Sequence, residues 1–371
     1  MSASRVTADT CMKHIDRLVA RGAPPPLAAR GSRRSLAQRR SYVAGFAFMA
    51  AVILVGATAA LAVRQEAVSS KIIDAPQLLQ DLKTLSADDM QGRLVDSEGG
   101  AKARAFVIER FKASGIKPIG ENYEQPFTFA GRGAGAAERH GVNVVGQIEG
   151  TKNPKRYIVV SAHYDHIGVR NGQVFNGADD NASGTAALFA VAKYFSSHKP
   201  ANTLLFVAFD AEETGLRGSR AFVAKPVVDL ASMVIDLNMD MIGRDPKNLL
   251  FVVGTYTQPF LIPFIERIAA KAPVKLTMGH DDPVKAREHA RDQAYEDWTS
   301  DSDHKSFCDV KVPCLYFGVE DFDQHHAATD DYETMTYAFY VHAVETMVQA
   351  VQEFDAHADD ILKARIKTPR P

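Results

Sequence analysis

The chain has 371 residues, 46% of them hydrophobic and 24% charged, enough apolar material to bury a large core without a scaffold of disulfides. Formal net charge is −2, yet nine Lys and Arg residues stand against Asp9 and Asp16 in the first forty positions, giving +7 there and −9 in the remainder. An acidic body argues against a nucleic-acid partner, and the three cysteines are too few and wrongly spaced for a zinc-finger type of site.

Residues 1–41 read as a basic cytoplasmic tail. Residues 42–63, YVAGFAFMAAVILVGATAALAV, form an uncharged run directly behind Arg39 and Arg40. A bilayer span takes about 20 apolar residues, and flanking arginines stay in the cytoplasm, so the expectation is a membrane anchor that sends the rest of the chain across. The ALA at 60–62 also has the form of a cleavage site, which makes a cleaved signal sequence the alternative. A linker is expected at 64–74, a folded domain at 75–358 and a tail at 359–371.

Within the domain, DAPQLLQDLKTLS and GAKARAFVIERFKASG have helical spacing. From residue 156, short β-branched runs alternate with helical ones. YIVVSA precedes a helix at 183–196, TLLFVAF one near 216–223, and MVIDLNM, NLLFVVG and CLYFG follow, with helices around 258–271 and 335–354. Strands separated by helices predict an α/β fold: a mainly parallel, mixed β-sheet sandwiched between helices. The charged stretch 280–303 reads as an insertion or lid. Cys308 and Cys314, close together, are either a disulfide or two buried thiols.

In such a sheet, ligands bind outside the carboxyl ends of the strands. YIVVSA runs into His163, Asp165 and His166; TLLFVAF into Asp210, Glu212 and Glu213; MVIDLNM into Asp240. The loop FNGADDNASG carries Asp179 and Asp180 into a helix, and SDSDHKSF places His304 ahead of CLYFG. Any one of these segments is ordinary turn, cap or core chemistry. Together they bring nitrogen and oxygen donors without cysteine to one edge, which suits Zn²⁺ or a similar divalent ion. Five ligands serve two metals if one carboxylate bridges, and a neighbouring glutamate can remain free as general base.

The order HxD, GxDDNxSG, EE followed by G, MD and SDH resembles the co-catalytic di-zinc aminopeptidase family of clan MH, which includes bacterial leucyl aminopeptidases and glutamate carboxypeptidase. The likeness covers roughly residues 75–355, including Gly92-Arg93 and HHAATDDYE near the C-terminus. It implies the zinc-exopeptidase fold of the phosphorylase/hydrolase type and two Zn²⁺ per chain: His163 and Asp240 on one, Glu213 and His304 on the other, Asp180 bridging. Glu212 matches the general base, and Asp165 the acid that orients the His163 imidazole. His326 matches a substrate-contacting histidine, and the Asp180–Asn181 peptide is expected cis.

The implied function is a metallo-exopeptidase acting on peptides, an aminopeptidase in the first instance, tethered to the inner membrane and facing the periplasm. A glutaminyl cyclase and a catalytically inactive binding ectodomain are the alternatives. The position where some relatives have an oxyanion-stabilising Tyr is Asp303, leaving His326 or Tyr316 for that role. Asp179 reads as a supporting carboxylate, and His166 as a residue at the rim.

Overall fold

The computed structural model describes residues 68–131, 133, 136–288, 295–321 and 323–367. The basic tail, the apolar run and the first four residues of the linker therefore lie outside the described residues. Among those described, no helix is long and apolar enough to cross a membrane.

The first helix, α1 (Ala75–Leu85), starts where the Asp74 side chain accepts the Gln77 N–H at 3.1 Å, and it buries Leu78, Leu82 and Leu85 on one stripe. Helix α2 (Glu98–Ala113) is capped in the same way by Ser97, whose oxygen accepts the Gly100 N–H at 3.1 Å. The strands follow as β1 (Lys117–Pro118), β2 (Glu124–Ala130), β3 (Glu138–Ile148) and β4 (Asn153–His163), with a small hairpin of β5 (Val169–Arg170) and β6 (Gln173–Val174). Helix α3 (Gly184–Ser197) leads to β7 (Asn202–Phe209), α4 (Arg217–Ala224) and β8 (Met233–Met239). Beyond them lie β9 (Leu249–Val253), α5 (Ile262–Ala269), β10 (Lys275–Met278), α6 (Pro283–Glu288), α7 (His304–Asp309), β11 (Cys314–Gly318), α8 (Tyr337–Ala356) and α9 (Ala358–Lys367).

The main sheet runs β1-β3-β7-β4-β8-β11-β9-β10, with β2 paired to β3. Its centre is parallel: β4 pairs with both β7 and β8, and β8 with β11. Antiparallel pairings join β3 to β7 and β9 to β11, so the sheet is mixed and helices cover both faces.

The two-residue alternation of a strand decides what each helix meets. Ile158, Val160 and Ala162 of β4, with Leu204, Phe206 and Ala208 of β7, face the large core of α1, α2, α3, α5 and α8. The intervening Val159, Leu205, Val207 and Phe209 face a smaller core with Phe222 of α4 and Phe307 of α7. The central strands β7 and β8 are buried along their whole length, which is why their sequences are largely apolar.

The antiparallel strands β2 and β3 have no counterpart in the predicted elements, because EQPFTFA is half exposed along its whole length and carries no continuous apolar signal. The helix expected at 258–271 is a 3₁₀ turn, Pro259–Leu261, followed by the shorter α5 with a proline in its first turn. The segment predicted as a tail begins with α9, which buries Ala358 and Ile361 against the core.

Candidate metal centre

The carboxyl ends of β4, β7, β8 and β11 converge. His163 is the last residue of β4, Asp240 follows β8, Glu212 and Glu213 lie three and four residues past β7, and the stretch 319–331 follows β11. Asp180 comes from the loop that opens α3. Three groups of donor atoms form there: His163, Asp180 and Asp240; His166, Asp180 and Glu213; Asp180, His325 and His326. Within each group the atoms lie no more than 4.8 Å apart.

Asp180 belongs to all three groups because its two oxygens face opposite ways. Oδ1 lies 3.4 Å from His163 Nε2, while Oδ2 lies 3.3 Å from His326 Nε2 and 3.6 Å from His166 Nδ1. On the first side, His163 Nε2 is also 3.2 Å from Asp240 Oδ1. Its Nδ1 faces Asp165, with the backbone carbonyl at 3.1 Å and Oδ1 at 3.7 Å. That contact favours a proton on Nδ1, so Nε2 is the atom that takes up either a metal or a second proton beside the carboxylates. Asp165 Oδ1 also accepts the Glu212 N–H at 3.0 Å, tying the loop after β4 to the loop after β7.

On the second side, Glu213 Oε2 is 2.9 Å from His326 Nε2, and Oε1 is 2.6 Å from His166 Nδ1. The latter two atoms approach without the alignment of a hydrogen bond, and both are buried without a hydrogen-bond partner. His166 is fully buried, not at a rim. The sequence treated it as unassigned, although it stands three residues after His163 on the same strand-end loop.

His304 is not brought to this place. It begins α7, buried, with its ring stacked on Tyr316 at 5.1 Å between centroids, and burial lowers its pKa to about 3. It lies in none of the three donor groups. The correction has a topological cause: His304 precedes β11, whereas a side chain that reaches the carboxyl edge of the sheet follows its strand, as His325 and His326 do. His326 thus sits among the candidate ligands in the place expected of His304.

The electrostatics describe a site short of positive charge. Burial alone would lower the pKa of His163, but Asp240, Asp165 and Asp180 outweigh it and raise that pKa well above the ordinary value. Hydrogen bonds to Asp180 and Glu213 raise His326 to about 10. Glu212 is raised well above the usual carboxylate range by burial and by Asp303, Asp240 and Glu213, against the attraction of His163. Burial also lifts Asp303 to about 7. Protons on the histidines satisfy the carboxylates as divalent cations would, and the unpartnered lone pairs of His166 and Glu213 fit a metal better than a proton.

The loop carrying Asp180 is held from all sides. Arg93, fully buried, donates to the carbonyls of Tyr164 (2.8 Å), Leu85 (2.8 Å), Asn176 (2.5 Å), Gly177 (2.9 Å) and Asp180 (3.4 Å). The Asp330 carboxylate accepts the N–H groups of Asp179 and Asp180 at 2.9 and 3.0 Å, and Arg244 pairs with Asp330 at 2.6 Å. Asp179 is a support: its Oδ1 accepts the Gly243 N–H at 2.7 Å. Gly177 turns the loop at φ +54°, where a Cβ would lie 2.1 Å from the Asp180 carbonyl and 2.6 Å from the His166 ring. The Asp180–Asn181 peptide is cis.

A cavity of about 440 Å³ opens over these groups, lined by Asp180, Glu212, Glu213, Asp240, Tyr316 and His326, with Trp298 and Asp301 from the segment predicted as a lid. Trp298 is held by stacking on His280 at 3.6 Å.

An α/β sheet whose strand ends gather histidine and carboxylate donors around one shared aspartate defines a metallohydrolase-like class of protein. Residues 143–351 match the model of peptidase family M28, and the chain belongs to that family. A probable zinc metalloprotease of Pyrenophora tritici-repentis is 32% identical over a stretch covering 40% of this chain and 35% of that one. The chain thus spans about a third of the length of that relative. Among solved structures, a zinc aminopeptidase from Bacillus subtilis superposes with a TM-score of 0.61 at 14% identity, covering 78% of this chain and 96% of that one. A glutaminyl cyclase from Porphyromonas gingivalis gives 0.61 at 16% identity, covering 76% and 99%. At these identities the solved structures establish the fold.

Proposed function

We propose that the chain is a zinc metallopeptidase that removes N-terminal residues from peptides, using two zinc ions that share Asp180. The observation that carries this reading is the split of the Asp180 carboxylate between the His163–Asp240 pair and the Glu213–His326 pair, with Glu212 lining the same cavity. In this assignment the first site is His163, Asp180 and Asp240. The second is Asp180, Glu213 and His326, with His166 close enough to complete it. Bound zinc supplies a Lewis acid and lowers the pKa of the attacking water.

The chain's own groups do the rest. Glu212, half-buried among carboxylates and with a raised pKa, takes the proton of the attacking water and delivers it to the leaving amine. Asp165 holds the His163 ring. Burial and the nearby carboxylates raise the Tyr316 pKa well above 10, so its hydroxyl stays protonated. It lines the cavity with Asp240 and is the group assigned to donate to the oxyanion. The acidic mouth, with Glu296 and Asp301, favours a substrate with a free α-amine.

Purified protein is expected to carry zinc and to release amino acids from small peptides and amino-acid amides; no metal and no turnover would overturn the reading. Glu212→Gln is expected to keep its metal and lose turnover, because it removes a base and no ligand. Tyr316→Phe is expected to lower kcat about 10²- to 10³-fold with little change in KM. Loss of ammonia from a peptide beginning with Gln would assign cyclase chemistry instead.

For location, residues 42–63 with their basic flank support an inner-membrane anchor with the domain in the periplasm, or release there after cleavage. The Cys308–Cys314 disulfide is in keeping with an oxidising compartment. Extraction of the full chain only by detergent is the expected outcome for an anchor.

A further inference from the structure

A second cavity, of about 240 Å³, adjoins the metal centre and shares Glu213 with the first. The turn after β7 forms the partition, since Gly215 and Leu216 line the first cavity while Thr214 and Arg217 line the second. The second has apolar walls from Leu94, Phe129 and Ile167, and three guanidinium groups: Arg139 from β3, Arg170 from β5 and Arg217 at the start of α4.

Those arginines are underpaired. Arg139 has Asp96 at 3.8 Å and donates to the Val95 carbonyl. Arg217 donates to the Thr214 carbonyl at 3.3 Å. Among the described residues, no carboxylate lies within ion-pair distance of Arg170 or Arg217. Arg139 and Arg217 both lie over the Phe129 ring, at 5.9 and 6.0 Å from its centroid, and Arg170 lies over Phe175 at 5.8 Å. The aromatic contacts hold the guanidinium groups in place without neutralising them. Glu213, the acidic residue in this lining, has its oxygens turned to His166 at 2.6 Å and His326 at 2.9 Å, so the half-buried Arg139 and Arg217 and the exposed Arg170 at the opening leave an excess of positive charge there, and guanidinium forks match a carboxylate in geometry as well as charge.

The two cavities differ in sign. The first has Glu296 and Asp301 at its mouth, against Arg220; the second is cationic. A peptide lying across the centre with its α-amine in the first cavity would carry the residue after the scissile bond past Glu213, towards the second. Each extended residue advances about 3.3 to 3.6 Å, so one or two residues cover the step.

We propose that the second cavity is an anion subsite, which takes a carboxylate from the leaving-group side of the scissile bond. The carboxylate is either an Asp or Glu side chain or the C-terminus of a short peptide. The inference rests on the peptidase reading for its kinetic arm and on the cavity alone for its binding arm.

The experiment compares four substrates: Leu-Ala-amide, which carries no carboxylate; Leu-Glu-amide, with the side chain only; Leu-Ala, with the terminus only; and Leu-Lys-amide, of opposite charge. The wild-type protein is expected to show kcat/KM about tenfold or more higher for one of the two carboxylate-bearing substrates than for Leu-Ala-amide, and lowest for Leu-Lys-amide. Which of the two is favoured identifies the source of the carboxylate. The ratio is expected to collapse towards one in the double variant Arg170→Gln, Arg217→Gln, and Arg170→Glu is expected to raise Leu-Lys-amide relative to Leu-Glu-amide. Equal kcat/KM across the four peptides, or a ratio that survives in the double variant, overturns the proposal.

Calorimetric titration with glutarate, which has two carboxylates and no scissile bond, reads the same cavity without turnover. Binding to the wild type that is lost in the double variant supports the site; absent or equal binding overturns it. Failure of the peptidase reading looks different: none of the four peptides is cleaved, whatever glutarate does.

Discussion

At the scale of single residues, Arg93 shows how much of this site is backbone held in place by one side chain. Its guanidinium joins the end of α1, the loop after β4 and the loop that carries Asp180, through five carbonyls and, among the described residues, no ion pair with a carboxylate. Burial lowers its pKa to about 10 despite the attraction of Asp180, Asp330, Asp165 and Glu213, so it stays charged at neutral pH. Arg93→Ala leaves those carbonyls without a donor in a buried space, and is expected to destabilise the fold by about 3 kcal/mol or more. Arg93→Lys should restore little, because an ammonium offers three N–H donors from a single nitrogen, where the guanidinium reaches five carbonyls from three separate nitrogens. Urea unfolding measures both variants, and an Arg93→Lys protein as stable as the wild type would contradict this account. The sequence made the Gly92-Arg93 pair visible but not its task, since main-chain acceptors leave no pattern in side chains. The same limit explains His166 and His304. Both are histidines near a strand end, and only the side of the strand on which each one stands separates a donor group from a stacked core residue.

At the scale of elements, what could be read was what is buried on both faces. β4, β7, β8 and β11 were legible because central parallel strands are continuously apolar, and their ends pointed to His163, Glu212, Glu213 and Asp240. β2 was not, because a strand half exposed along its length has no such signature, and β3, exposed at its start and broken by Gly141, Asn143, Gly146 and Gln147, lacks a continuous apolar run. The pairing of Cys308 with Cys314 was also open in the sequence. The structure joins them with Cα atoms 5.6 Å apart, clipping the end of α7 to the first residue of β11. Gln258 fixes the same corner, donating to the Cys314 carbonyl at 2.8 Å and accepting its N–H at 3.2 Å. A bridge over so short a loop contributes ~2 kcal/mol by restricting the unfolded chain. Reduction, or Cys308→Ser with Cys314→Ser, is therefore expected to lower stability by about that amount, while the carboxyl end of β11, held by β8 and β9, keeps its register. Thermal unfolding with and without reductant is the measurement.

At the scale of the whole molecule, a sheet that gathers this many carboxylates at one edge needs cations there, and protons and metal ions compete for the part. Without metal, the raised pKa of His326 means that the folded protein binds a proton the unfolded chain does not. That stabilisation is complete below the ordinary histidine pKa of about 6.5 and is lost as pH rises through about 10. His163 has the same direction of shift. Metal bound to the same lone pairs has no proton to lose in that range, and it stabilises the native state according to its concentration relative to Kd, by about 4 kcal/mol at a thousandfold excess. The metal-free protein should therefore lose Tm steadily between pH 7 and 9, whereas the zinc-loaded protein should not. The increase in Tm on adding zinc should grow with pH over that interval, because metal no longer has to displace protons. Differential scanning of the chelator-treated and zinc-restored protein at pH 6, 7.5 and 9 tests this. A zinc effect that is constant across the three would mean that His163 and His326 do not share their lone pairs with the metal, and that the donors gathered around Asp180 have been assigned wrongly.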